Sequence, residues 1–192
     1  MIQFIHIGVN VYKIPYISLP YIYRDIKVFM KSSKELITLI IYHAGKEVVE
    51  YPEVRKTKYT KDFSWGFYCT NSLKQAIRWA NRGDGTPIVN SYQYTPDNSL
   101  SILKFEEMTD EWLDFIAKCR LGELHRYDIV EGPMADDTVW NYVNDFLYGD
   151  MTREQFWSLA KFKYPTHQIS FHTLSALNCL RFERSETIYD RS

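Results

Sequence analysis

The chain has 192 residues, is 45% hydrophobic and 24% charged, and carries 23 basic against 24 acidic side chains for a net charge of −1. That length and composition fit one domain with a sizeable core. The balance of charge excludes the basic excess that marks phosphate-gripping nucleic-acid binders. No apolar stretch reaches the ~18 residues a membrane span needs.

Residues 1–29 are apolar and aromatic without clean periodicity, interrupted by Pro15 and Pro20, and lack the pattern of a signal peptide. They read as an N-terminal extension of uncertain status, and residues 30–192, opening on Met30-Lys31-Ser32-Ser33, as a single domain. Leu36 to His43 is a β-branched run that ends at Ala44-Gly45, a buried strand carrying His43 to its carboxyl end. Residues 46–65 have no periodicity and hold Lys46, Arg55, Lys56, Lys58 and Lys61, a long basic loop of the kind that is often functional. Gly66 to Thr70 is a short strand leading into Ser72-Leu73-Lys74-Gln75, a capping-box pattern for a helix to about Arg82 with Leu73, Ala76, Ile77 and Ala80 on one face.

Two strands, Ile88 to Tyr94 and Leu100 to Phe105, follow across the turn Pro96-Asp97-Asn98. Thr109 caps a helix from Asp110 to Arg120, with acids in its first turn. Tyr127 to Val130 reads as a strand, Asp136 to Phe146 as an amphipathic helix, and Thr152-Arg153-Glu154-Gln155 as a second capping box for a helix to about Phe162. Gln168 to His172 alternates as a strand, Leu174 to Cys179 is a short helix, and Leu180 to Glu183 a last strand. Strands and helices do not alternate strictly, which predicts a mixed α+β fold rather than a doubly wound parallel sheet.

The three cysteines, Cys69, Cys119 and Cys179, are widely spaced and form neither a Cys-x-x-Cys pair nor a metal-ligand pattern with the histidines. Reduced thiols and a cytoplasmic setting are expected. Neither metal nor flavin is implied. Gly-x-Gly-x-x-Gly, Walker and Gly-x-Ser-x-Gly signatures are absent. Asp136 and Asp137 are adjacent acids that favour a helix N-terminus.

Three segments stand out in order: Tyr42-His43-Ala44-Gly45, Gly66-Phe67-Tyr68-Cys69-Thr70 and Thr166-His167-Gln168-Ile169. Together they resemble the His–Tyr–Glu arrangement of ADP-ribosyltransferases, with Gln in the third place and Ala where Gly commonly follows the His. The resemblance spans roughly residues 38–185. More closely, the chain looks like a bacterial family within that superfamily, domain of unknown function 3990. Lys58 to Phe63, Leu103 to Glu106, Asp128 to Pro133 with Ala135 to Asp137, and Lys163 to Ile169 carry that likeness.

The resemblance implies an ADP-ribosyltransferase-like split mixed β-sheet core with surrounding helices, and NAD as substrate. It implies His43 and Gln168 on the ribose hydroxyls, Tyr68 stacked on the nicotinamide, and the Ala44 and Gly45 backbone near the carboxamide. Arg55 or Lys61 would meet the pyrophosphate, and Trp79 would give a second ring contact. A macromolecular acceptor inside the cell and a small antitoxin-like protein partner also follow from it. The residue types suit such work: a tyrosine ring stacks on a cation, and imidazole bonds hydroxyls as donor or acceptor. An amide has no charge with which to steady an oxocarbenium ion.

Each residue has a plainer reading beside that one. His43 at a strand end, Tyr68 among 15 tyrosines and Gln168 on a strand are compatible with packing roles, Arg55 and Lys61 with a solvated face, and Trp79 with helix packing. The alternatives for the whole chain are a catalytically weak or inactive member that binds a partner protein, and an NAD glycohydrolase in which water takes the place of the acceptor.

Overall fold

The computed structural model describes residues 38–56, 61–135, 137–160 and 166–189; the expected extension at residues 1–29 lies outside them. Within the described residues the fold is mixed α+β, with two sheets and five helices. The elements in order are β1 (Leu39–Gly45), β2 (Phe67–Cys69), α1 (Leu73–Ala80), β3 (Ile88–Tyr94), β4 (Ile102–Lys104), α2 (Asp110–Arg120), β5 (Ile129–Gly132), α3 (Asp137–Leu147), α4 (Arg153–Leu159), β6 (Gln168–Phe171), α5 (Leu174–Leu177) and β7 (Leu180–Thr187).

One sheet runs β1-β3-β7 and the other β2-β6-β5-β4. All pairings are antiparallel except β4 with β5. The edge strands β1 and β2 touch through a single bridge, in which Tyr42 N donates to Thr70 O (2.8 Å) and Thr70 N to Tyr42 O (2.9 Å). Beyond that bridge β1 continues along β3, while β2 stays with β6.

Strand alternation distributes the core into layers. Ile41, Phe67, Cys69, Tyr92, Tyr94, Ile129, Ile169 and Phe171 form one cluster, closed by Ala176 and Leu177 of α5. Tyr42 and Val89 point the other way, onto Ala76 and Ala80 of α1. Tyr68 and Val130 likewise face a third cluster with Trp112, Leu113 and Ile116 of α2, Val143 of α3 and Phe156 of α4. Because β6 is covered on both sides, all four of its residues are buried, although its sequence reads as half-exposed alternation.

The helix ends follow their caps. Thr109 Oγ1 accepts from Trp112 N at 3.3 Å, and the box at Thr152 and Gln155 is complete. At α1 only half of the expected box forms. Ser72 Oγ accepts from Gln75 N at 3.3 Å, but the Gln75 side chain turns away to clasp the backbone of His167, Nε2 donating to its carbonyl (2.6 Å) and Oε1 accepting from its N–H (3.1 Å). The helix ends at Ala80 rather than near Arg82, and Lys46 Nζ bonds the carbonyls of Ala80 (2.8 Å) and Gly83 (3.0 Å) there. That lysine, expected in a basic loop, caps a helix C-terminus. β7 extends four residues beyond its expected end, because β3 offers it a full-length partner.

The three cysteines are free and buried. Among the described residues no group of His, Cys, Asp or Glu is placed to hold a metal ion, and no helix is long and apolar enough to cross a membrane.

Candidate active site

The divergence of β1 from β2 after the Tyr42–Thr70 bridge places three strand ends together. His43 is the first residue of β1 past the bridge. Tyr68 lies on β2, and Gln168 opens β6 next to the pair Cys69–Ile169. These residues line a cleft of about 320 Å³ with Ala44, Lys61, Asp62, Trp79, Arg82, Met134, Ala135 and Trp140. A second cleft of about 200 Å³ adjoins it, sharing His43, Lys61 and Tyr68 and adding Val49, Glu53, Arg55, Trp65, Gly66 and Phe67.

His43 is fixed from two directions. Its ring stacks on Phe67 at 4.4 Å between centroids, and its Nδ1 lies 2.7 Å from the carbonyl oxygen of Tyr68. A carbonyl only accepts, so Nδ1 carries the proton and Nε2 is left as an acceptor. Burial lowers the imidazole pKa to about 4, against the raising effect of that hydrogen bond and helped by Lys61 and Arg55, so the ring is neutral at physiological pH. Gly45 does not line the cleft. A Cβ built on it would lie 3.5 Å from His43 Nε2, in ordinary van der Waals contact with that nitrogen.

Tyr68 is buried, and its hydroxyl is committed: it donates to Ser64 O (2.7 Å) and accepts from Phe63 N (3.1 Å). Desolvation pushes its pKa well up, with Asp62 adding to the effect, and the phenol stays neutral. The ammonium of Lys61 sits 4.6 Å from the Tyr68 ring centroid. Arg55 lines only the smaller cleft and pairs with Glu53 at 3.4 Å.

Asp62 and the Pro133 carbonyl, which lie in two of the likeness segments but not among the expected site residues, hold the Gln168 amide. Asp62 is 6% exposed; its Oδ1 takes hydrogen bonds from Arg120 Nη2 (2.5 Å) and Nε (3.1 Å), and its Oδ2 from Ala135 N (3.0 Å) and Gln168 Nε2 (3.2 Å). Pro133 O accepts from the same Gln168 nitrogen at 3.3 Å and from Trp112 Nε1 at 3.0 Å. An acid in an aperiodic loop and a basic residue ending a helix give no pairing signal across 58 positions; the only hint was the motif Lys58 to Phe63 itself.

The loop before β2 is carried from below by two histidines. His125 Nε2 donates to Phe63 O (3.1 Å), His172 Nδ1 donates to Trp65 O (2.8 Å), and the two rings meet edge to face at 4.4 Å. Burial lowers the pKa of both, that of His172 to about 4, so both are neutral supports. Ser64 has a positive φ of 69°, and Lys61 and Ser64 form a bridge within this loop. Of the adjacent acids at 136 and 137, Asp137 is the first residue of α3, and Asp136 lies outside the described residues.

The molecule is thus an α+β domain whose cleft sits where two sheets part. It belongs to the family described as Protein of unknown function (DUF3990), whose model matches residues 39–182. A search of the curated proteins found no match.

Proposed function

We propose that this chain is an NAD-dependent ADP-ribosyltransferase-like protein with the split-sheet core of that superfamily, which passes ADP-ribose to a macromolecule inside the cell as the toxin of a toxin–antitoxin pair. The observation that supports this reading is the meeting of His43, Tyr68 and Gln168 in one cleft although 125 residues separate the first from the last. Their chemistry agrees with a ribose and a cationic ring. His43 Nε2 is an acceptor for one hydroxyl, Gln168 bonds a second, and the Tyr68 ring face attracts a cation.

In the proposed reaction the bond between nicotinamide N1 and ribose C1′ breaks, its electron pair moves to the ring, and neutral nicotinamide leaves. An acceptor nucleophile then bonds C1′ and gives up its proton. Nicotinamide takes the ring face that Lys61 covers, and Lys61 turns toward the pyrophosphate with Arg55 in the adjoining cleft. Ala44 offers backbone groups to the carboxamide, and Trp79 closes the ring from the side of α1.

A second reading, an NAD-binding module without transfer, is favoured by one contact. The acid in hydrogen-bond contact with Gln168 is Asp62, and although it lines the cleft its Oδ1 is taken by the guanidinium of Arg120.

Incubating the protein with labelled NAD and a cell lysate tests both. Release of nicotinamide with label on a macromolecule, lost in His43→Ala and Gln168→Ala, is the expected result. Release without label means hydrolysis, NAD binding without release means the module, and no binding at all removes the NAD reading.

A further inference from the structure

Gln168 has two amide hydrogens and one oxygen to place. Its Nε2 stands 3.2 Å from Asp62 Oδ2 and 3.3 Å from the Pro133 carbonyl oxygen, and both partners only accept. Turning the amide over would set its oxygen against two oxygens, so the orientation is fixed by the contacts. Asp62 is held in turn by Arg120 and by the Ala135 N–H. The two residues before Gln168 are pinned as well, His167 by the Gln75 side chain on its backbone and Thr166 by its hydroxyl on the Met134 backbone.

We propose that Asp62 is a positioning residue for the third place of the motif. With the Pro133 carbonyl it takes both amide hydrogens of Gln168, so the cleft is offered the amide oxygen alone. A ligand is met there by an acceptor, which selects a hydroxyl donor such as a ribose hydroxyl and rejects a carboxylate or phosphate oxygen. The ligand's identity rests on the function proposed above; the fixed amide rests only on these contacts. One consequence runs against intuition: replacing Gln168 by the acid of the His–Tyr–Glu pattern harms this site, because it puts a carboxylate oxygen beside Asp62.

The groups facing position 168 are Asp62, with Arg120 behind it, and His43, Lys61, Tyr68 and Arg82 around the cleft. Asp62 is in hydrogen-bond contact with the side chain. A carboxyl introduced there holds its proton to higher pH than in the unfolded chain. Folding then binds a proton, and stability falls as pH rises.

The experiment compares Gln168→Glu and the neutral Gln168→Met with the natural chain. Melting temperature and NAD titration are followed from about pH 5 to about pH 8. Gln168→Glu is expected to lose melting temperature progressively with rising pH, with affinity on the order of tenfold weaker at about pH 8 and recovering toward acid. Gln168→Met should show a deficit that does not change with pH. A pH-independent deficit in Gln168→Glu, or NAD affinity at about pH 8 equal to that of the natural chain, overturns the proposal. If no form binds NAD but the pH-dependent deficit appears, the fixed amide stands and the NAD reading alone falls.

Discussion

At His43 one ring nitrogen is spent on the Tyr68 carbonyl and the other is left to accept, and that division decides what the residue can do. Its type and its place at a strand end were legible, because a β-branched run ending in Ala-Gly defines where the strand stops. Its tautomer was not, since the carbonyl that sets it belongs to a strand 25 positions away. With the imidazole pKa lowered to about 4, NAD affinity should stay level from about pH 8 to about pH 5.5 and decline only as the ring protonates and its acceptor is lost. Calorimetric titration at stepped pH measures this. An inflection near the ordinary histidine value of about 6.5 would show that the ring is not desolvated as described. Asp62 is the converse case: an acid in an aperiodic segment carries no mark of the four hydrogen bonds it receives.

Among the elements, the loop into β2 is the most constrained. Gly66 lies so close to β6 that a Cβ would stand 3.0 Å from the His172 ring and from the Phe171 carbonyl oxygen, a contact the backbone cannot yield easily. Gly66→Ala should therefore cost about 1–3 kcal/mol, read as a lowered urea midpoint with unchanged slope. It should also weaken NAD binding, since the same loop anchors the Tyr68 hydroxyl. The sequence showed a Gly-x-Tyr strand entering a capped helix, and the structure gives the glycine its physical reason in this close approach. The half-formed box at α1 has the same lesson in reverse. Gln75 has the right spacing for a cap, but the edge of β6 offers it two backbone partners, and a paired clasp outweighs a single bond to its own helix.

Across the whole molecule, the Asp62–Arg120 pair joins the loop before β2 to α2, and Arg120 continues to Trp140 O (3.1 Å) on α3. Both side chains are nearly inaccessible, at 5% for Arg120 and 8% for Asp62, so removing one partner strands the other's charge. Arg120→Met should destabilise the fold by about 3–5 kcal/mol, measured by denaturant unfolding. The loss should exceed that from Arg153→Met, whose carboxylate partners Asp110 and Asp114 are half exposed. The pair thus belongs to the architecture as much as to the site.

By itself the sequence determined the kinds and order of the elements and the caps at Thr109 and Thr152, because these depend on periodicity and on contacts within a few residues; His43, Tyr68 and Gln168 were marked by resemblance to a family and not by periodicity. Only the tertiary structure decided that β6 is buried on both faces, that His125 and His172 support the site loop, and that Asp62 and Pro133 hold the Gln168 amide. Those contacts join residues from about 35 to 107 positions apart. Their energy comes from pairing polar groups after the sheets have removed them from water, a condition that exists only once the chain has folded.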